Sequence, residues 1–204
     1  MQAKPLLRDI FGFDSFRPGQ EEIVSAVASG SNVLAIMPTG GGKSLCFQLP
    51  ALMRGGITLV VSPLIALMRD QVRSLREVGV EAHALTSGNT AEETESVWQA
   101  LADNTLKLLY IAPERLASQG TLPMLRRAGV SLIAVDEAHC VSQWGHDFRP
   151  EYRSLTVLHE RYPGVPRVAL TATADALTRA DIIERLQLED AQLFIPSFDR
   201  PNIR

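Results

Sequence analysis

The sequence predicts an α/β domain of three layers, with a mostly parallel central sheet flanked by helices, and three observations carry this expectation. Short apolar runs alternate with amphipathic stretches. The runs are too short for helices and are apolar on successive residues, as in a strand with both faces buried in a parallel sheet. A glycine-rich turn follows the first run, and two carboxylates close a later one, so polar chemistry collects where strands end.

Taken in order, residues 21–28 space their apolar side chains three and four apart, which predicts a helix. Residues 33–37 form the first strand-like run, and a helix begins after the glycines. The second run is 58–62, followed by helical spacing over 64–78 and 91–102. Residues 108–112 and 132–136 are the third and fourth runs. A helix is expected over 152–161, a fifth strand over 168–171 and a closing helix over 176–186. Strand–helix alternation implies right-handed crossovers, and ligands in such sheets bind beyond the carboxyl ends of the strands. Residues 1–196 read as one domain. Residues 197–204, polar and containing Pro201, read as the start of a linker to a further domain.

Of 204 residues, 46% are hydrophobic and 21% charged, which is ordinary for a soluble domain. The net charge of -3 gives no general attraction for nucleic acid, so any such contact has to be local. Cys46 and Cys140 form no C-x-x-C pair, which argues against a zinc site and for a reducing, cytoplasmic setting. The N-terminal stretch lacks a leader's apolar core, and no run of 18 apolar residues spans a membrane.

Val33-Leu34-Ala35-Ile36-Met37-Pro38-Thr39-Gly40-Gly41-Gly42-Lys43-Ser44 reads as strand, turn and helix start. Glycines let backbone N–H groups converge on phosphate oxygens, and the helix N-terminus adds its positive end. Lys43 suits the β- and γ-phosphates of ATP, and the Ser44 hydroxyl suits Mg²⁺. Met37 stands where the general G-x-x-x-x-G-K-[ST] pattern has glycine, so Pro38-Thr39-Gly40 must make the turn. In Leu132-Ile133-Ala134-Val135-Asp136-Glu137-Ala138-His139, Asp136 is placed to hold Mg²⁺ and Glu137 to polarise the attacking water. His139 is either a satisfied polar residue or a link to Thr171 or Thr173.

These residues resemble superfamily 2 helicases, and among them the RecQ family. The resemblance runs through Phe16-Arg17-Pro18-Gly19-Gln20, Ser62-Pro63-Leu64 with Leu67-Met68-Arg69-Asp70-Gln71, Tyr110-Ile111-Ala112-Pro113-Glu114-Arg115, Leu170-Thr171-Ala172-Thr173-Ala174 and Phe198-Asp199-Arg200-Pro201-Asn202. Its most specific stretch is Ser142-Gln143-Trp144-Gly145-His146-Asp147-Phe148-Arg149-Pro150, similar to the aromatic-rich loop of that family. The resemblance implies a RecA-like, P-loop NTPase fold and a 3′-to-5′ DNA helicase acting in repair or recombination. It implies that Gln20 reads adenine with Arg17 nearby and with Phe13 stacked on the base, although Phe13 serves equally as a core aromatic.

Ser62 and the hydroxyls and amides of Thr86-Ser87-Gly88 would meet DNA phosphates. Trp144, His146, Phe148 and Arg149 would contact unpaired bases and trigger hydrolysis, the other reading being an apolar plug. Thr171 and Thr173 would link the carboxylates to DNA. The implied partners are single-stranded and forked DNA and a second RecA-like domain in cis, which would bring an arginine to the nucleotide. Without it, this polypeptide is expected to bind ATP weakly and not to unwind DNA. A nucleotide kinase is the competing enzyme class, but no arginine-bearing lid is legible. A nucleotide-gated DNA-binding switch without substantial turnover is the alternative from outside enzymology.

Overall fold

Seven strands pair in parallel into one sheet in the computed structural model, which describes residues 2–144, 147–172 and 175–195. They are β1 (Val33–Ile36), β2 (Ile57–Val61), β3 (Ala82–Leu85), β4 (Leu108–Ile111), β5 (Val130–Val135), β6 (Arg167–Thr171) and β7 (Gln192–Phe194). Their spatial order is β3-β4-β2-β5-β6-β1-β7. All five expected strands are present, and β3 and β7 are additional. The expectations at His146, Thr173 and 197–204 lie outside the described residues.

The helices are α1 (Ala3–Asp9), α2 (Gln20–Ala28), α3 (Leu45–Met53), α4 (Ile65–Glu77), α5 (Ala91–Ala102), α6 (Pro113–Leu116), α7 (Thr121–Ala128), α8 (Thr156–Arg161) and α9 (Ala176–Leu186). Side chains alternate across a strand, and the sheet uses both faces. Val33, Val60, Tyr110, Leu132 and Leu170 point into a core shared with α2, α3 and α4. Leu34, Leu59, Leu109, Ile133 and Ala169 point into a second core, shared with α5 and α6–α9. Each fully buried aliphatic side chain contributes roughly 1.5–3 kcal/mol, so two continuous cores clamp the central strands. That rigidity fixes where the strand ends project.

The expected helix over 152–161 is in fact two segments. Pro150–Leu155 winds as a 3₁₀ turn before α8 begins. Proline at the start is compatible with the first turn. The tighter turn brings the Tyr152 hydroxyl to the Asp136 carbonyl at 3.2 Å, and Tyr152 is fully buried.

Strands β5, β6 and β1 are neighbours, as are β3, β4 and β2. The carboxyl edge therefore has two halves. One carries Asp136, Thr171 and the turn after Ile36; the other carries Ser62, Ala112 and Thr86. Backbone bonds continue the ladder one residue past the strand ends: Met37 N–H donates to Thr171, Asp136 to Val61, Ser62 to Ile111 and Ala112 to Leu85.

Candidate nucleotide and DNA site

The ladder explains Met37. Its N–H donates to the Thr171 carbonyl at 2.9 Å, so the chain is still extended there and needs no glycine. The side chain is buried beneath the turn, with the Cys46 thiol 3.6 Å from its sulfur. The turn itself runs over 38–41 and closes by Gly41 N–H donating to the Pro38 carbonyl at 2.9 Å. Gly40 and Gly42 have φ of +76° and +78°, which side chains disfavour. A Cβ on Gly41 would stand 2.8 Å from the Pro38 carbonyl oxygen, and one on Gly42 would collide with the Gln20 amide. The concavity thus depends on the absence of side chains, which is the form of a phosphate cradle.

Gln20 is 3% exposed, and its carboxamide is engaged at both ends. Oε1 accepts the Arg17 backbone N–H at 2.8 Å, and Nε2 donates to the carbonyls of Gly42 at 3.1 Å and Gly41 at 3.5 Å. The Arg17 guanidinium donates to the Gly40 carbonyl. Both residues expected beside adenine therefore brace the phosphate loop through its carbonyls in this conformation. A cavity of about 630 Å³ opens against that loop, lined by Arg17, Ile23, Met37, Thr39, Gly40 and Phe194 among others. Its size suits a nucleoside. Phe194, on a strand the sequence did not reveal, forms part of this wall. Phe13 is 51% exposed, so it is no core aromatic, and it is not among the lining residues.

Asp136 is buried at the end of β5. Burial, then the neighbouring Glu137 charge, push its carboxyl up from 3.8 to about 6, against the Glu137 N–H and Lys43, which favour the carboxylate. That N–H donates to Oδ1 at 3.0 Å. Glu137 is in the left-handed region, φ 50° and ψ 47°, a conformation non-glycine residues hold only when their surroundings impose it. It starts the 3₁₀ turn Ala138–Val141, which buries His139 and Cys140. His139 Nδ1 lies 2.8 Å from Thr171 Oγ1 and 3.4 Å from Glu137 Oε2. The structure thus joins the ends of β5 and β6 through one imidazole, bringing together Asp136, Glu137, His139 and Thr171.

Ser44, Asp136 and Lys43 could hold a Mg²⁺-bound triphosphate. Hard oxygen ligands and a lysine beside a side-chain-free cradle fit that group.

Beyond the turn, Trp144 is 67% exposed, its N–H bonded to Ser142 Oγ at 3.2 Å. It is no plug. Phe148 is partly covered by the Arg153 guanidinium, 5.3 Å from its ring centre. Arg149 lies 3.7 Å from Asp147, and its backbone N–H donates to the Cys140 carbonyl. His139, Cys140 and Asp147 place nitrogen, sulfur and oxygen within 4.8 Å of one another. Burial pushes the Cys140 thiol up to about 12, and that thiol donates to Asp147 at 3.7 Å. With Arg149 also facing Asp147, hydrogen bonds and charge tie the start of the loop to the turn that carries His139 and Cys140. Sequence reasoning missed Asp147 and Tyr152, whose side chains reach the Cys140 thiol and the Asp136 carbonyl.

On the other half of the edge, Ser62 is 2% exposed, and its hydroxyl has no hydrogen-bond partner among the described residues. In this conformation its side chain is shielded from solvent. Thr86 is also buried, its hydroxyl held by Asn89, while Ser87 and Gly88 are exposed. Arg69 donates to the Gly88 carbonyl at 3.2 Å. A larger groove of about 950 Å³ beside α4 contains Arg69, Arg73 and Arg76. Those guanidiniums face Glu93, Asp70 and the Ala82 carbonyl.

Residues 17–181 match the family model "DEAD/DEAH box helicase". The chain is 50% identical over 202 residues to the ATP-dependent DNA helicase RecQ of Haemophilus influenzae, covering 99% of this chain and 33% of that protein. It is 51% identical over 202 residues to RecQ of Pasteurella multocida, covering 99% and 32%. The chain spans about a third of these curated relatives' length. Among solved structures, the DUF1998 helicase MrfA bound to DNA and AMPPNP superposes with a TM-score of 0.76 at 18% identity, over 96% of this chain and 29% of that one. The Pyrococcus furiosus Hef helicase domain gives 0.69 at 24% identity, over 96% and 40%. These two likenesses speak for the RecA-like fold alone.

Proposed function

The chain belongs to the DEAD/DEAH box helicases, and we propose that it is the first motor domain of a RecQ-type ATP-dependent DNA helicase, working 3′ to 5′ on single-stranded and forked DNA in the cytoplasm. One observation carries the proposal: the phosphate cradle, the Asp136–Glu137 pair and Thr171 lie at the carboxyl ends of three adjacent strands, and His139 links Glu137 to Thr171.

Lys43 and the loop amides hold the β- and γ-phosphates of ATP. Ser44 and Asp136 would hold Mg²⁺, and the ion would supply positive charge to offset that developing on the phosphate oxygens. Glu137, its backbone left-handed, keeps its carboxylate beside His139 and orients the attacking water. His139 carries any shift of Thr171, or of the loop latched through Asp147, to that carboxylate. The exposed Trp144 offers its face to an unpaired base, a contact worth roughly 1–3 kcal/mol whatever the base. A second RecA-like domain supplies the opposing arginine.

Phosphate release with and without single-stranded DNA tests this reading on the 204-residue chain and on a chain extended to the length of its relatives. Stimulation by DNA supports a motor. ATP-dependent DNA binding without turnover in the extended chain supports a nucleotide-gated switch instead. Glu137→Gln should lower turnover by about 10²-fold or more while leaving nucleotide affinity within a factor of two or so. Undiminished hydrolysis would remove Glu137 from the chemistry.

A further inference from the structure

Gln71 lies on α4 in a stretch that resembles a DNA-contact motif, yet its side chain turns towards the nucleotide half of the edge. Nε2 donates to Ser44 Oγ at 3.2 Å. Oε1 accepts from Gln48 Nε2 at 3.5 Å, and Gln48 Nε2 also donates to the Tyr110 hydroxyl at 2.9 Å. Gln48 and Tyr110 are 8% and 1% exposed, and Phe47 packs edge-on against the Tyr110 ring. Burial raises the Tyr110 phenol far above its ordinary value, so it remains a neutral hydroxyl. The far end of this chain is thus anchored in the core, and the Gln71 carboxamide has one orientation. Oxygen faces Gln48 and nitrogen faces Ser44.

A serine hydroxyl has one hydrogen and two lone pairs. The Gln71 N–H takes one lone pair, which leaves the other lone pair and the hydrogen for the phosphate cradle. We propose that Gln71 is a positioning residue for Mg²⁺ binding, holding the Ser44 hydroxyl in its ligating orientation from α4. The inference rests on the MgATP reading of the site. It adds that α4, which starts at the end of β2 on the half of the edge assigned to DNA, carries the orientation of the metal ligand. Groups that orient a metal ligand typically alter affinity by about 10–100-fold when removed.

The test measures binding of a fluorescent ATP analogue to the 204-residue chain as Mg²⁺ is titrated, so it does not depend on turnover. Gln71→Leu should raise the half-saturating Mg²⁺ about tenfold and leave affinity for the analogue in EDTA unchanged. In a Ser44→Ala background the same change should add nothing, because the two residues act as one unit. Gln71→Met, which keeps the length and removes the N–H, takes the place of Gln71→Leu if the latter melts early. The inference is overturned if Mg²⁺ dependence matches the parent, if the effect persists with Ser44→Ala, or if affinity in EDTA falls equally. A parent whose binding ignores Mg²⁺ sinks the proposed function and this inference together. A Mg²⁺-dependent parent with an unmoved variant sinks the inference alone.

Discussion

Asp136 carries its charge at a cost to the folded protein. Its carboxyl titrates near 6 in the fold and near 3.8 in the open chain, chiefly because it is buried. Below about pH 4 both states carry the proton and the residue is neutral to stability. Between 4 and 6 the folded state keeps a proton the unfolded chain has lost, so stability falls as pH rises. Above 6 the penalty is complete, at most about 3 kcal/mol. Asp136→Asn retains an oxygen for the Glu137 N–H and removes the charge. It should raise the melting temperature by roughly 5–10 °C at pH 7.5 without metal or nucleotide, and by little near pH 4. Equal gains at both pH values would contradict this account. By the same titration, Mg²⁺ should bind more weakly below pH 6, where it must displace a proton.

At the scale of elements, the strands legible in the sequence are those buried on both faces. The two illegible strands show why the rest were not. β3 reads Ala-His-Ala-Leu and carries no β-branched residue. His83 is buried there because Arg76 of α4 and Glu81 flank its ring at 2.8 and 2.7 Å. β7 is three residues long, and its first N–H donates to the Asn32 carbonyl at 2.8 Å. Asn32 is far from β7 in the chain. Local chemistry does determine helix α5, where Thr90 and Glu93 cap each other reciprocally, at 3.1 and 2.7 Å. Thr90→Ala should cost about 1 kcal/mol and lower the melting midpoint by roughly 2–4 °C, with nucleotide affinity unchanged. A loss of nucleotide affinity would mean that α5 reaches further into the site than its position on the β3 flank implies.

Across the whole molecule, one sheet edge holds two kinds of chemistry side by side. Nucleotide groups occupy the ends of β5, β6 and β1, and the expected DNA groups the ends of β3, β4 and β2. Connections between the halves at this edge include Gln71 to Ser44 and the Asp136 N–H to the Val61 carbonyl. The edge supplies only one wall of a nucleotide site. Strand-displacement assays on the 204-residue polypeptide should show no ATP-dependent unwinding of a forked duplex. Unwinding by it alone would mean that a single RecA-like domain suffices.

What the sequence determined by itself is the chemistry and its address. The glycines, Lys43-Ser44 and Asp136-Glu137 are contiguous in the chain, and their function follows from residue type at short spacing. What only the tertiary structure decided is which of these groups face one another. It set Gln20 and Arg17 on the carbonyls of the loop, His139 between Glu137 and Thr171, Ser62 in a buried position, and Gln71 on Ser44. These pairings join residues far apart in the chain. The order of the strands, set by how two apolar cores pack against one sheet, brings them within hydrogen-bond distance.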